Sequence, residues 1–200
     1  MTCEKRIQGK FEMLLVFVFV LSLFLFFFNT FSFTGYITEG NTTSNVTISK
    51  YLAITFGANL SEGIYFGDVV VLPATDVNAT HNYDGALTGT TYTIDVSTDS
   101  NTAVDFCIKA NQGLTTAGAD VIGLGNETYS AYNATNFSLP PLAAQTSMTT
   151  GYVKVQTAGN NIGPGNSSYW RFWLDIPAAQ PSGDYNNTVS FGGVTTGLSC

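Results

Sequence analysis

The sequence predicts an all-β protein, a single antiparallel immunoglobulin-like β-sandwich of about seven strands, preceded by one N-terminal hydrophobic membrane helix. Beyond residue 40, apolar and polar residues alternate with a period of two, which is typical of strands with one buried face. Turns rich in Gly, Asn, Pro and Asp separate these runs, as they do in antiparallel sandwiches. Residues 13–33 form an almost unbroken apolar run, long enough to cross a bilayer once as a helix.

The N-terminal segment indicates how the chain is oriented. Residues 1–12 carry Lys5, Arg6 and Lys10, and the first charge after the apolar run is Glu39. Because an excess of Lys and Arg marks the cytoplasmic flank of a membrane helix, we predict a cytoplasmic N terminus and an extracellular C-terminal domain. The apolar core of a secretory signal is only about 7 to 15 residues long, and the cut site here, at 32–34, is poor. The pattern favours a retained helix over a cleaved one, followed by a polar tether at 34–44.

Residues 45–200 are predicted to form one ectodomain, since their number matches a single domain. The alternation gives each strand a buried phase, and the segment at 63–72 switches phase at Gly67, which indicates a bulge. The predicted inward-facing residues are Val46, Ile48, Leu52, Ile54 and Phe56; Ile64, Phe66, Val69 and Val71; Tyr92, Ile94 and Val96; Val104, Phe106 and Ile108; Val153 and Val155; Trp170, Phe172, Leu174 and Ile176; and Tyr185, Val189 and Phe191.

The segment 111–150 shows no clear strand pattern apart from a short run at 120–124, and it contains two successive prolines at 140–141. Loops of this length in a compact domain are usually functional or poorly ordered, so we predict a surface excursion that carries glycans.

The alternation also places Phe172 in the core and its neighbour Arg171 in solvent. We therefore expect Phe172→Ala to cost about 3 to 5 kcal/mol and Arg171→Ala to cost about 1 kcal/mol or less.

Nine Asn-x-Ser/Thr sequons, more than half of all the asparagines, lie beyond the apolar run and none before it. Because glycans are bulky and face water, these positions are predicted to lie on the surface and to carry N-linked glycans. Turns rich in Asn and Thr are the alternative explanation for the excess. The predicted sites are Asn41, Asn45, Asn59, Asn78, Asn126, Asn133, Asn136, Asn166 and Asn186.

Of the three cysteines, Cys3 is predicted on the cytoplasmic side, whereas Cys107 and Cys200 both lie in the external part. An even number of external cysteines in an oxidising compartment predicts a disulfide between them, and two unpaired residues are the alternative. Cys107 falls on the polar phase of its strand, so the bridge is expected outside the core.

The composition argues against several functions. The part beyond the apolar run has twelve acidic and four basic residues, so nucleic acid is not an expected partner, because phosphate binding needs a basic patch. His81, the single histidine, lies in a turn-forming segment where no catalytic triad can be assembled. Asp76, Asn78 and Thr80 resemble the alternating oxygens of a calcium loop, but His81 replaces its glycine and Leu87 its bidentate glutamate. We predict no catalytic residue, no metal site and no cofactor.

Near the N terminus, the basic pair Lys5 and Arg6 precedes the sequence IQGKFEMLL. This stretch resembles the prepilin-type signal of archaeal type IV pilin-like proteins, although Ile7 stands where that family has Gly or Ala. The resemblance implies cleavage before Gln8. It also implies that Glu12, at the fifth mature position, pairs with the N terminus of a neighbouring subunit.

Residues 171–191, RFWLDIPAAQPSGDYNNTVSF, look like the last hairpin of Ig-like sandwiches on microbial surface proteins, with Gly183 and Tyr185 opening the final strand. Together with the sequons, residues 45–200 resemble secreted sandwich glycoproteins of archaeal cell surfaces, including subunits of extracellular threads and bundling pili. That resemblance implies assembly, because thread-type subunits lend an N-terminal strand to a neighbour's open sheet.

These observations leave two functional hypotheses. The first is a structural cell-surface glycoprotein, membrane-anchored or assembled into an extracellular filament, whose partners are the membrane, N-linked glycans, and copies of itself or other cell-surface proteins. The alternative is an adhesin or ligand-binding ectodomain that uses the 111–150 loop, with Tyr129, Tyr132 and Phe137 exposed. An enzyme is not expected, because no convergent set of titratable groups is evident.

Overall fold

The computed structural model describes residues 3–30 and 43–200, with side chains from residue 12 to residue 26 in the first range. The end of the predicted helix at 31–33, the predicted tether as far as residue 42, and Asn41 lie outside the described residues. The chain divides into two compact units, Met1–Thr47 and Ile48–Cys200.

The N-terminal unit contains helix α1 (Cys3–Thr30). It begins ahead of the apolar run because Glu, Lys, Arg and Gln, which dominate residues 4–10, are good helix formers. The large apolar side chains from Met13 to Phe26 are all exposed, from 46% at Leu21 to 77% at Met13. Within the described residues, no helix combines the length and the hydropathy needed to cross a membrane.

The C-terminal unit is mostly β, as the alternation predicts. A short helix, α2 (Ala58–Glu62), follows the first strand, and single 3-10 turns lie at Leu124–Asn126, Leu142–Ala144 and Thr157–Gly159. The strands are β1 (Ile54–Phe56), β2 (Ala74–Asn78), β3 (Tyr92–Val96), β4 (Val104–Ala110), β5 (Leu114–Thr115), β6 (Val121–Ile122), β7 (Glu127–Tyr132), β8 (Thr146–Ser147), β9 (Val153–Lys154), β10 (Ser167–Ile176) and β11 (Val189–Thr195).

All strand pairs are antiparallel, and they form three sheets. The largest sheet has the order β1-β3-β10-β7-β8, with β2 also paired to β10. The second has the order β11-β4-β9, and β5 pairs with β6 to form the third. The long strand β10 is central, because its first half pairs with β3 and its second half with β2 while β7 runs along its other edge.

One core joins the two larger sheets. Trp170 of β10 meets Phe191 of β11 edge to face, with ring centroids 5.2 Å apart, and meets Phe106 of β4 at 6.1 Å. Such edge-to-face contacts are favoured by the aromatic quadrupoles beyond the area they bury. In β3, Tyr92, Ile94 and Val96 are buried and alternate with half-buried residues, so the predicted phase of this strand is confirmed.

The predicted strand from Val46 to Phe56 is mostly wrong. Only β1 pairs with another strand, and residues 43–50 have no secondary structure and are exposed, with Val46 at 85% and Ile48 at 78%. Alternation shows that a segment can form a strand, but a strand also needs a neighbouring strand to pair with. Only the residues of β1 pair with β3.

The segments 63–72 and 111–150 also differ from expectation. The first forms no strand, since Gly63 (φ 121°) and Gly67 (φ 67°) turn the backbone into conformations that a strand excludes. The second is not one long excursion, because it contains β5, β6, β7 and β8. In β7, Tyr129 is 1% exposed and packs in the core, so this tyrosine is not a surface aromatic.

Arg171 is buried, at 1% exposure, although the alternation predicts it in solvent. Trp170, Arg171, Phe172 and Trp173 are all buried, because β10 is covered on both faces. Phe172 lies in the core as predicted.

Candidate functional site

A groove in the C-terminal unit lies beside β11 and has a cavity volume of about 1030 Å³. We call it the β11 groove. Most of its lining comes from three parts of the chain: the segment 63–70, a small apolar cluster that includes Leu114, Ile122 and Leu174, and residues 180–189 with Phe191.

The free edge of β11 forms part of this groove. In the described residues β11 pairs only with β4. On β4, Ala110 N–H donates to Thr149 and Phe106 C=O accepts from Val155 N–H, so the even-numbered residues of β4 face β9. Phe191, directly opposite the even-numbered Ile108, is then in a non-hydrogen-bonded pair. Its backbone N–H and C=O therefore point away from β4, toward the open edge.

An open edge next to an apolar groove can accept a further strand, because main-chain hydrogen bonds supply affinity and the groove takes alternate side chains. The segment 63–72 does not fill this place, and it exposes Val70 at 90% and Val71 at 72%. The surface therefore combines unpaired backbone with exposed apolar side chains.

The charges of the groove are all negative. Asp68 and Asp184 are exposed, whereas Glu127 is 1% exposed. No lysine, arginine or histidine is found among the described residues that line it. The groove should therefore prefer an occupant that is apolar with a basic flank.

Glu127 is the buried titratable group of this site. Its Oε2 accepts a hydrogen bond from Asn187 Nδ2 at 2.6 Å. Burial raises the pKa of the Glu127 carboxyl, and the bond from Asn187 lowers it by less. Glu127 lies on the same phase of β7 as Tyr129 and Ala131. An acidic residue on the apolar phase of a strand was the sequence signal that this carboxyl is buried.

The segment just before β1 has a composition that matches the groove. Val46, Ile48 and Lys50 share one phase, opposite Asn45 and Thr47, and all are exposed. The segment is attached to its own domain from residue 49 onward, because Asn101 Nδ2 donates to the Ser49 carbonyl at 2.9 Å and Tyr51 N–H donates to Asn101 Oδ1 at 2.8 Å. Residues 43–48 have no such attachment among the described residues.

The predicted cysteine pair is joined. Cys107 and Cys200 form a disulfide with their Cα atoms 6.0 Å apart, outside the main core cluster. Cys107 is nonetheless 2% exposed, because the C-terminal residues lie over its face of β4.

Asp105 on the same face binds this tail. It accepts hydrogen bonds from the Gly197 N–H (2.9 Å), the Thr196 hydroxyl (3.2 Å) and Lys154 Nζ (3.0 Å), and Lys154 also donates to the Leu198 carbonyl. Burial alone would raise the pKa of Asp105, but these bonds and one from the Asn161 N–H (2.9 Å) together hold it below its usual value. The last residues are thus fixed by the disulfide and by hydrogen bonds to Asp105 and Lys154.

The alternation pattern did not indicate that Arg171 holds several segments of the chain together. Its guanidinium donates to the carbonyl oxygens of Asn82 (2.8 Å), Asn136 (2.7 Å), Pro140 (2.9 Å) and Phe137 (3.4 Å), and it lies 4.2 Å from the ring centroid of Tyr83. Trp173 lies on the same phase of β10 as Arg171. This large apolar residue was the sequence signal that the face is covered.

The predicted glycosylation sites lie at the surface where the structure describes them. Six of the asparagines are exposed, Asn59 and Asn126 are half-buried, and Asn41 lies outside the described residues. The exposed ones are Asn45, Asn78, Asn133, Asn136, Asn166 and Asn186.

The oxygens that resemble a calcium loop are used in other contacts. Asn78 Oδ1 accepts from Trp173 Nε1 at 2.9 Å, and Thr80 Oγ1 donates to the Tyr65 carbonyl at 2.9 Å. Among the described residues no group of three or more His, Cys, Asp or Glu side chains is placed to hold a metal ion. His81 is half-buried and meets Tyr92 edge to face.

Comparison with protein-family models finds none that matches this sequence, and a search of curated proteins finds no significant match.

Proposed function

We propose that this protein is a structural cell-surface glycoprotein, built on an Ig-like β-sandwich, whose copies associate through the β11 groove. The aromatic core shared by the two larger sheets supports the sandwich assignment. The exposed sequons support an extracellular address, since glycans must face water. The joined cysteines Cys107 and Cys200 suit an oxidising compartment.

One observation carries the assembly proposal: among the described residues, the same chain has an open strand edge in an apolar groove and, at 43–48, a segment that pairs with no strand but has the alternation of one. The occupant of the groove is this segment from a second copy. Val46 and Ile48 supply the apolar phase, and Asn45 and Thr47 point outward, so a glycan on Asn45 would remain in solvent. Pairing would remove both the open edge and the exposed valine and isoleucine from water.

Helix α1 fits the same function. Its apolar side chains are exposed all around from Met13 to Phe26, and a helix that is apolar on every side requires apolar surroundings. The packed helices of neighbouring subunits would supply them, giving a filament core. No reaction is assigned to the protein.

The assembly proposal is tested with residues 43–200, which contain the compact unit that starts at Ile48. The wild-type fragment, Val46→Asp/Ile48→Asp and the control Thr47→Asp/Ser49→Asp are compared by size-exclusion chromatography with light scattering. The two double variants add the same charge to opposite phases of one exposed segment.

We expect the wild type and the control to self-associate and the Val46/Ile48 variant to remain monomeric, with equal urea midpoints for all three. Self-association of the Val46/Ile48 variant at wild-type concentrations would exclude this segment as the occupant. Binding of an unrelated ligand by the 111–150 segment, with a monomeric wild type, would favour the adhesin hypothesis instead.

A further inference from the structure

In the turn at residues 136–138, the asparagine of the sequon is hydrogen-bonded to the serine of the same sequon. Asn136 Oδ1 accepts hydrogen bonds from the Ser138 N–H at 2.8 Å and from the Ser138 hydroxyl at 3.0 Å, and both residues are exposed. The amide nitrogen Nδ2, which receives the sugar in N-glycosylation, has no acceptor among the described residues. The amide and the hydroxyl that define the sequon therefore face solvent together.

A buried platform holds this turn in place. Arg171 donates to the carbonyls of Asn136, Phe137 and Pro140, and the face of its guanidinium lies against Tyr83. Because the guanidinium is planar and its donors are fixed, it holds these carbonyls in one arrangement. The sequon is thus presented in the same way in every folded molecule.

Two other sequons have the acceptor nitrogen engaged in hydrogen bonds. Asn59 Nδ2 donates to Thr91 Oγ1 at 2.6 Å, and Asn166 Nδ2 donates to the carbonyls of Gly163 and Pro164, both at 3.3 Å. A sugar on Asn59 would break its bond and displace a half-buried side chain.

In five sequons other than that of Asn136, the hydroxyl two residues after the asparagine is buried or bonded to another part of the chain. An enzyme that reads the sequon has to reach this hydroxyl as well as the amide. Thr128, for example, is 8% exposed and its hydroxyl contacts Gln145 Oε1 at 2.6 Å. The five hydroxyls belong to Ser61, Thr80, Thr128, Thr135 and Ser168.

Asn45 and Asn186 expose both groups of their sequons, but neither shows a bond between the asparagine and the hydroxyl. Asn186 also lines the β11 groove, and Asn45 lies in the proposed donor segment. Asn136 belongs to neither surface, so a glycan there would leave the proposed contact free.

We propose that Asn136 is an N-glycan acceptor of the folded domain and that Asn59 and Asn126 are not modified. This rests on the extracellular address in the proposed function, not on assembly. The co-substrate is a lipid-linked oligosaccharide phosphate. The transfer forms a bond from Asn136 Nδ2 to C1 of the sugar and breaks the bond from C1 to the phosphate oxygen of the carrier. The carrier leaves as the phosphate anion, and the amide proton passes to a base of the transferase.

The test is glycopeptide mass spectrometry of the full chain from its own cells, with fragmentation that distinguishes Asn136 from Asn133. Ser138→Ala removes only the Asn136 sequon and replaces an exposed hydroxyl, and Ser61→Ala is the matched control for Asn59. We expect the sugar on Asn136 to be lost completely in Ser138→Ala and the glycan pattern to be unchanged in Ser61→Ala.

An unmodified Asn136 in the wild type, or a sugar on Asn59 or Asn126, would overturn the proposal. Urea unfolding of Ser138→Ala checks that the domain still folds, and Asn136→Gln provides a second variant that removes the same acceptor. Light scattering of the same samples tests assembly separately, so a sugar on Asn136 in a monomeric protein would refute only the assembly proposal.

Discussion

Arg171 is a buried cation that is solvated by backbone carbonyls. The described residues place no carboxylate in an ion pair with it, and its partners are four carbonyl oxygens and the ring of Tyr83. Burial lowers the pKa of the guanidinium and Tyr83 raises it, but arginine remains charged at such positions. The carbonyl dipoles and the aromatic face therefore replace water around the charge.

We predict that Arg171→Ala destabilises the domain by about 3 kcal/mol or more, because it leaves several buried carbonyls without a donor. This replaces the expectation from the alternation of about 1 kcal/mol or less, and it makes the loss comparable to about 3 to 5 kcal/mol for Phe172→Ala. Arg171→Lys keeps the charge but not the planar set of donors, so it should recover only part of the loss. Urea unfolding of residues 43–200 measures all three, and a loss below about 1 kcal/mol for Arg171→Ala would contradict this account.

Glu127 gives a prediction about pH. Its pKa is raised by burial above the ordinary value of 4.5, so between 4.5 and the raised value the folded state binds more protons than the unfolded state. Stability should therefore fall as the pH rises through that window and stay lower above it. Glu127→Gln should remove this contribution and stabilise the domain at pH 7. Unfolding midpoints from pH 4 to 8 test this, with Asp184→Asn as the exposed control in the same groove. A variant less stable than wild type at pH 7 would refute it.

The strands that the sequence predicted correctly are those that pair with neighbouring strands of the same domain. β3, β4 and β10 lie in sheet interiors, so their apolar phases report burial directly. The run at 46–56 has the same alternation, but the domain offers a partner only to β1. In β4 and β10, tertiary contacts cover the polar phase. No local pattern shows that Asp105 is buried, and for Arg171 the only local signal is Trp173 on the same phase.

The candidate site was less predictable than the fold. The cysteine pair and the surface sequons follow from simple rules about compartment and chemistry. The β11 groove depends on which strand ends up at a sheet edge, and this is a property of the whole topology. The turn that carries the contact between Asn136 and Ser138 is held by Arg171, which is distant in sequence.

The C-terminal tail and β4 act as one element, since Cys200 is bonded to Cys107 across 93 residues of sequence. In the chain-entropy model, closing a loop of this length stabilises the fold by roughly 4 to 5 kcal/mol. We predict that Cys107→Ala/Cys200→Ala loses stability of that order in urea unfolding, whereas Leu198→Ala, which truncates an exposed side chain in the same tail, changes it little. Full reaction of both cysteines with a thiol reagent in the native protein would show that the bridge is absent.

At the scale of the whole molecule, the distribution of charge limits how copies can meet. The chain has a formal net charge of −7 at pH 7, so copies repel each other over most of their surface. In the described part of the C-terminal unit, Lys154 is paired with Asp105, Lys109 lies 4.5 Å from the ring centroid of Tyr152, and Arg171 is buried. Lys50 is the remaining lysine there, and it is exposed two residues beyond the proposed donor segment.

We predict that Lys50→Glu weakens self-association of residues 43–200 about three- to tenfold at low salt, because reversing a rim charge converts an attraction of at most about 1 kcal/mol into a repulsion. Lys109→Glu makes the same change in net charge away from the segment and serves as the control, so a general increase in repulsion would weaken both variants equally. At about 0.5 M salt the difference between the two variants should shrink, since screening shortens the reach of exposed charges. If Lys50→Glu and Lys109→Glu associate alike at low salt, Lys50 does not face the acidic groove and the donor segment enters it in another register or not at all.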